Sequence, residues 1–177
     1  MANPFNDYAG LNVVDVMINY IALYILQNDN LCKLLYYDSP DALKQVVSLD
    51  DMDMIRDTLI KGTIVNPKDK KIYLQPFINQ TTEDKRSEIR IYPSFNIENR
   101  VLIRCIFYID IVINNDLWEL SESLIRPLQI LKELLNSLNG SDVQGIGLLT
   151  CENESFNLVP FSSYFGGYRT RFTTRTS

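Results

Sequence analysis

The chain has 177 residues, of which 46% are apolar and 22% charged, and a formal net charge of −5. Such a length fits one domain that buries roughly 70% of its extended surface, so an ordinary core is expected without staples, and disorder is a poor description of all but the two ends. No run of about 18 uninterrupted apolar residues occurs, and Met1–Asn6 lacks the basic and apolar regions of a secretion signal, so neither a spanning helix nor export is expected.

A reducing cytoplasm is the expected place of synthesis. The three cysteines, Cys32, Cys105 and Cys151, are expected as buried free thiols, because they lie far apart inside helix-like or strand-like runs. Histidine is absent altogether. That removes serine–histidine and cysteine–histidine nucleophiles, histidine general bases and nearly all catalytic zinc sites.

From Leu11 to Gln27 the apolar residues follow helical spacing. Asn28-Asp29-Asn30 breaks the run, Leu31–Tyr37 resumes it as a short helix, and Ser39-Pro40 stops it. Ser48 or Asp50 caps a third helix through Leu59, with Gly62 ending it. Asn66–Lys71 reads as a polar turn, Ile72–Leu74 as a short strand, and Asn79–Ser87 as a long polar loop. Glu88–Tyr92 alternates polar and apolar, which predicts a half-buried strand. Asn96–Asn99 turns the chain. Arg100–Ile113 is the strongest strand, apolar on both faces, and should lie centrally, covered on both sides or by helices on one side and a partner on the other. Asn114-Asn115-Asp116 caps a helix from Leu117 to Leu138, in which Pro127 should produce a kink or a break. Asn139-Gly140 stops that helix. Val143–Cys151 and Phe156–Phe161 read as a hairpin, and Tyr168–Thr173 as a final strand. The expected fold class is α+β: a mostly antiparallel sheet flanked by helices, with N-terminal helices and one long helix between strands. One domain is expected over 1–177, with an extended C-terminal arm at 166–177.

Four motifs invite chemistry. Asp50-Asp51-Met52-Asp53 offers oxygen ligands but lacks the glycine and glutamate spacing of a calcium loop, and acids in a first helical turn also stabilise the helix dipole. Asp110 with Asp116 and Glu119 resembles part of a two-metal centre, although Asp110 also suits pairing with an arginine on a neighbouring strand and Asp116 a helix cap. Gly140–Gly147 leads from helix to strand, the reverse of a phosphate loop. Tyr164, Phe165, Tyr168, Arg169, Arg171, Phe172 and Arg175 mix aromatics with arginine, the composition of protein-interface hot spots, of a plain edge strand and also of single-strand nucleic-acid platforms. The acids gathered in Met1–Ile60 and the acid-free, arginine-bearing stretch from Ser155 onward suit head-to-tail contact between copies, or are solvated surface charge.

The segments Ile18–Leu43 (INYIALYILQNDNLCKLLYYDSPDAL), Arg100–Leu120 (RVLIRCIFYIDIVINNDLWEL), Arg126–Gly140 (RPLQILKELLNSLNG), Val143–Thr150 (VQGIGLLT) and Ser162–Thr173 (SSYFGGYRTRFT) resemble, in their succession, the tail terminator and neck proteins of tailed bacteriophages. The resemblance implies a virion protein without an active site. Its sheet would be flanked by helices and assembled into a ring, often hexameric, that ends tail polymerisation and joins the head. It implies copies of the chain and other phage tail or neck proteins as partners, assembly in the host cytoplasm, and no membrane or sequence-specific nucleic acid. No catalytic residue, cofactor or metal is expected. The competing expectations are a small intracellular protein that inhibits a host factor and a metal-dependent nuclease using Asp110.

Overall fold

The computed structural model describes residues 9–66, 69–76, 85–97, 103–143, 146–151 and 156–175, with side chains at all of these except 9–15, 95–97, 103–104 and 175. Helices α1 (Ala9–Ile25), α2 (Asp29–Tyr36) and α3 (Leu49–Lys61) come first. Strands β1 (Ile72–Tyr73), β2 (Ser87–Ile97) and β3 (Ile103–Asn114) follow, then helix α4 (Arg126–Leu138) and strands β4 (Asp142–Val143), β5 (Gly147–Cys151), β6 (Asn157–Pro160) and β7 (Phe165–Arg175). The seven strands form one sheet in the order β1-β2-β3-β7-β5-β4, with β6 also on β7. All pairings are antiparallel except β1 with β2. The architecture is α+β. Among the described residues no helix is long and apolar enough to cross a membrane.

Local chemistry sets the helix ends. Asn28 caps α2 by accepting from Leu31 N at 3.0 Å, while its amide donates to Glu133 Oε2 and Ser137 Oγ at 3.0 Å each, tying that end to α4. Ser48 caps α3 by accepting from Asp51 N, and Gly62, at φ 77°, closes it. The acids of Asp50–Asp53 therefore sit in the first turns of α3, with Asp53 paired to Arg56 at 2.6 Å.

Helix α4 departs from expectation. The segment after β3 forms 3₁₀ turns at Asn115–Leu117 and Ser121–Ser123 joined by a bridge between Glu119 and Ile125, and the helix starts only at Arg126. Pro127 occupies the first turn, where its missing N–H has no helical partner to lose, so it begins the helix instead of kinking it. Asn114, not Asp116, is the cap there, accepting from Asp116 N at 3.0 Å. Arg126 is completely buried and donates to the carbonyls of Leu117, Leu34, Tyr37 and Ser39 at 2.6–2.9 Å. Three of these four bonds answer carbonyls at and just past the end of α2, a role that no sequence pattern indicated.

The expected hairpin of Val143–Cys151 with Phe156–Phe161 does not form. Both β5 and β6 pair with β7, in turn along one edge: Cys151 opposite Phe172, then Asn157 opposite Arg169. The expected arm at 166–177 is, over the described residues, strand β7 with β3 on one side and β5 and β6 on the other. Gly167 explains the glycine pair. It lies at φ 157°, and a Cβ there would stand 1.9 Å from the carbonyl oxygen of Ile111, so the glycine permits β7 to approach β3. Most of the expected loop Asn79–Ser87 lies outside the described residues, Ser87 already opens β2, and β2 takes in the first two residues of the expected turn Asn96–Asn99, the rest of which lies outside the described residues.

One face of the sheet carries the core. Ile89, Ile91, Phe107, Ile109, Ile111, Ile113 and Phe172 pack with Ile21, Ile25, Leu34, Leu35, Ile130 and Leu134 of the helices. Cys32 and Cys105 are buried here and Cys151 is half-buried, all three as free thiols.

Candidate interaction face

The other face of β2, β3 and β7 is built from the alternate residues of the same strands. Register sets Arg90 beside Asp110 beside Arg169, and Tyr92 beside Tyr108 beside Arg171. Asp110 is 1% exposed, and Arg169 grips it side-on, with Nε to Oδ1 at 2.7 Å and Nη2 to Oδ2 at 2.8 Å. The hydroxyl of Tyr92 donates to Oδ2 at 3.1 Å. Burial, reinforced by the Asp110 charge, raises the Tyr92 phenol above its ordinary range, and the bonds to Asp110 raise the Arg169 guanidinium further. Tyr92 and Tyr108 stack with centroids 5.6 Å apart, and Arg169 lies 5.8 and 6.0 Å from their rings.

Next to this row stands a drier cluster. Glu88 is fully buried and accepts from Arg90 Nε and Nη2 at 2.8 and 2.6 Å. Arg86 Nε lies 3.0 Å from Glu88 Oε2, a charge contact without hydrogen-bond alignment. The segment after β6 closes over both arginines: Phe165 sits 5.9 Å from Arg86 and Phe161 5.6 Å from Arg90. The polar side of Glu88–Tyr92 is thus buried at Glu88 and Arg90 and half-exposed only at Tyr92, because two arginines flank the carboxylate and two phenylalanines lie against those arginines.

Strand alternation divides the seven expected interface residues. Arg169 and Arg171 lie half-exposed on this face, and Tyr164 is exposed beside it. Phe165 is on this face but buried, whereas Tyr168 and Phe172 point to the helices, Phe172 wholly within the core. Phe165 and Phe172 are therefore core residues, not contacts for a partner. Arg175 pairs with Arg104 in the ladder, and its side chain lies outside the described residues. Tyr92, Tyr108 and Arg90 belong to the face and were missed. Their signal was present in the alternation of Glu88, Arg90 and Tyr92, but which parity met the helices was not.

Both oxygens of Asp110 are engaged, Oδ1 by Arg169 and Oδ2 by Arg169 and Tyr92, as expected of a carboxylate paired with an arginine on a neighbouring strand. Asp116 is drawn to Lys85 at 2.9 Å, and Glu119 lies in its bridge to Ile125. Among the described residues no group of three or more His, Cys, Asp or Glu side chains is placed to hold a metal ion. What the face presents is aromatic surface and guanidinium donors on a rigid sheet.

Fold and face together define an α+β protein with one sheet side committed to its own helices and the other to polar and aromatic display. The chain belongs to the YomW family, whose model matches residues 28–174. This is a phage-derived family of prophage genes, and the chain is accordingly a phage-related protein. A comparison with curated proteins gives no match.

Proposed function

We propose that this protein is a structural component of a phage particle, forming a ring at the tail end or neck through contacts between copies. Membership of a phage-derived family supports the setting. The observation that carries the reading is the outer sheet face, where Tyr92, Tyr108, Arg169 and Arg171 stand half-exposed on a rigid platform. Asp110 already immobilises Arg169 and Tyr92, so little side-chain entropy remains to be lost on docking. Aromatic and arginine side chains are those that dominate protein interfaces.

The ring reading makes the partner another copy and, beyond it, tail or neck proteins of the same particle. The paired substitution Tyr108→Ala with Arg171→Glu keeps the core and alters the face. Phage carrying it should release heads and tails that are not joined, or tails of irregular length, in electron micrographs of the lysate. Normal particles from that phage, or purified virions lacking the protein, would overturn the proposal.

A further inference from the structure

The outer face buries one cation more than it answers. Arg86, Arg90 and Arg169 meet two carboxylates there, Glu88 and Asp110. Arg169 takes Asp110 side-on, and Arg90 takes Glu88 through two aligned bonds. Among the described residues, Arg86 is the arginine left over. It is 5% exposed, its Nε faces Glu88 without alignment, and its Nη2 is buried with no hydrogen-bond partner. A buried guanidinium is well placed only when its donors are answered, so Arg86 fits the closed protein poorly.

The turn 161–165, between β6 and β7, shuts it in. Phe161 N and Ser162 N donate to the Phe165 carbonyl at 2.9 and 3.0 Å, and Ser162 Oγ accepts from Tyr164 N and Phe165 N at 3.2 Å each. By these bonds the turn keeps its own shape, whatever lies beneath it. Among the described residues, both hydrogen bonds from its tip to the rest of the protein come from Asn115. Its N donates to the Tyr164 carbonyl at 2.9 Å, and its Nδ2 to the Ser163 carbonyl at 3.1 Å. Beneath the turn, Phe165 rests on Arg86 and Phe161 on Arg90. Tyr164 stands exposed at the tip, within reach of a partner. A self-contained turn with one fastening can lift as a body. Lifting uncovers Phe165, so the closed form predominates until a ligand favours the open one.

We infer that the turn 161–165 is a strap over a carboxylate site: when it lifts, Arg86 receives an acidic side chain of a docking protein. Nε and Nη2 of Arg86 are the two donors with which Arg169 grips Asp110, so the incoming carboxylate takes the same side-on grip. It brings the negative charge that the face lacks. This deepens the contact reading of the outer face and rests on it for the partner being a protein, whereas the strap and Arg86 are open to test on the isolated chain.

Poly-L-glutamate is the probe, and the single tryptophan, Trp118, is the reporter. Its Cζ2 lies 3.1 Å from where a Cβ on Gly166 would stand, at the foot of the strap. Titrating the full chain should shift Trp118 emission saturably. Arg86→Met should weaken that binding by roughly tenfold or more. It should not lower the urea midpoint, since the Glu88–Arg90 pair remains. Asn115→Ala removes the Nδ2 fastening and should tighten binding by roughly threefold, because more of the protein is then open. No response from wild type, undiminished binding by Arg86→Met, a lower midpoint for that variant, or no tightening in Asn115→Ala would each overturn the inference. Inorganic phosphate at matched ionic strength should act weakly, and a response as strong as that to polyglutamate would overturn the carboxylate assignment. Normal particles from the Tyr108–Arg171 phage, together with polyglutamate binding that needs Arg86, would remove the ring and keep the strap.

Discussion

The two faces of the central sheet are made by the same strands under opposite rules. On the helix side, Ile89, Ile109, Ile111 and Phe107 contribute by removal from water, which is additive and indifferent to exact partners. On the outer side, Asp110, Glu88, Arg90 and Arg169 are tolerated only because each answers another. The first face is insensitive to which apolar residue fills it, provided volume is kept. The second depends on every member being present, and that interdependence makes it rigid enough to serve as a contact surface.

The contrast can be broken at several places. Phe107→Ala should produce the largest loss, about 4 kcal/mol in urea unfolding, since it leaves a large cavity beneath three strands and their helices. Arg169→Leu should cost about 3 kcal/mol by stranding a buried carboxylate, whereas Arg169→Leu combined with Asp110→Leu should return to within about 1 kcal/mol of wild type. A double variant as unstable as the single one would show that the outer face depends on packing as the inner one does.

A smaller effect separates the thiols. Burial pushes the Cys32 thiol from an ordinary 9.0 up to about 12. A raised folded-state value means stability that is fully present below pH 9.0 and is lost as pH climbs toward about 12, where the unfolded thiol ionises first. Cys32→Ala should flatten that alkaline slope in denaturation curves. At pH 8, a thiol reagent should label half-buried Cys151 on the native protein and reach Cys32 and Cys105 only after unfolding. Native labelling of Cys32 ahead of Cys151 would contradict a dry helix side.

Much of the architecture was legible locally. Ser48 and Gly62 bound α3 as their chemistry dictates, Asn139-Gly140 ends α4, and the dense apolar run around Cys105–Ile113 announced a central strand. The candidate site was legible only by half. Arginine and aromatic residues near the C-terminus drew attention to β7, but Phe172 and Tyr168 belong to the opposite side of the pleat from Arg169 and Arg171. Composition gives residue types, and a strand's period of two gives parity, but neither says which parity faces the helices.

The sequence by itself determined most kinds of elements, some of their ends, such as Ser48 and Gly62 around α3, and the absence of histidine chemistry, because caps, turns and periodicity act over a few residues. Only the tertiary structure decided what met what. Distant partners chose to lay β5 and β6 along β7 instead of on each other, to sink Arg126 among the carbonyls that end α2, and to close Phe161 and Phe165 over Arg90 and Arg86. The physical reason is that a buried polar group takes its stability from whatever satisfies it, and in this chain the satisfying groups lie tens of residues away.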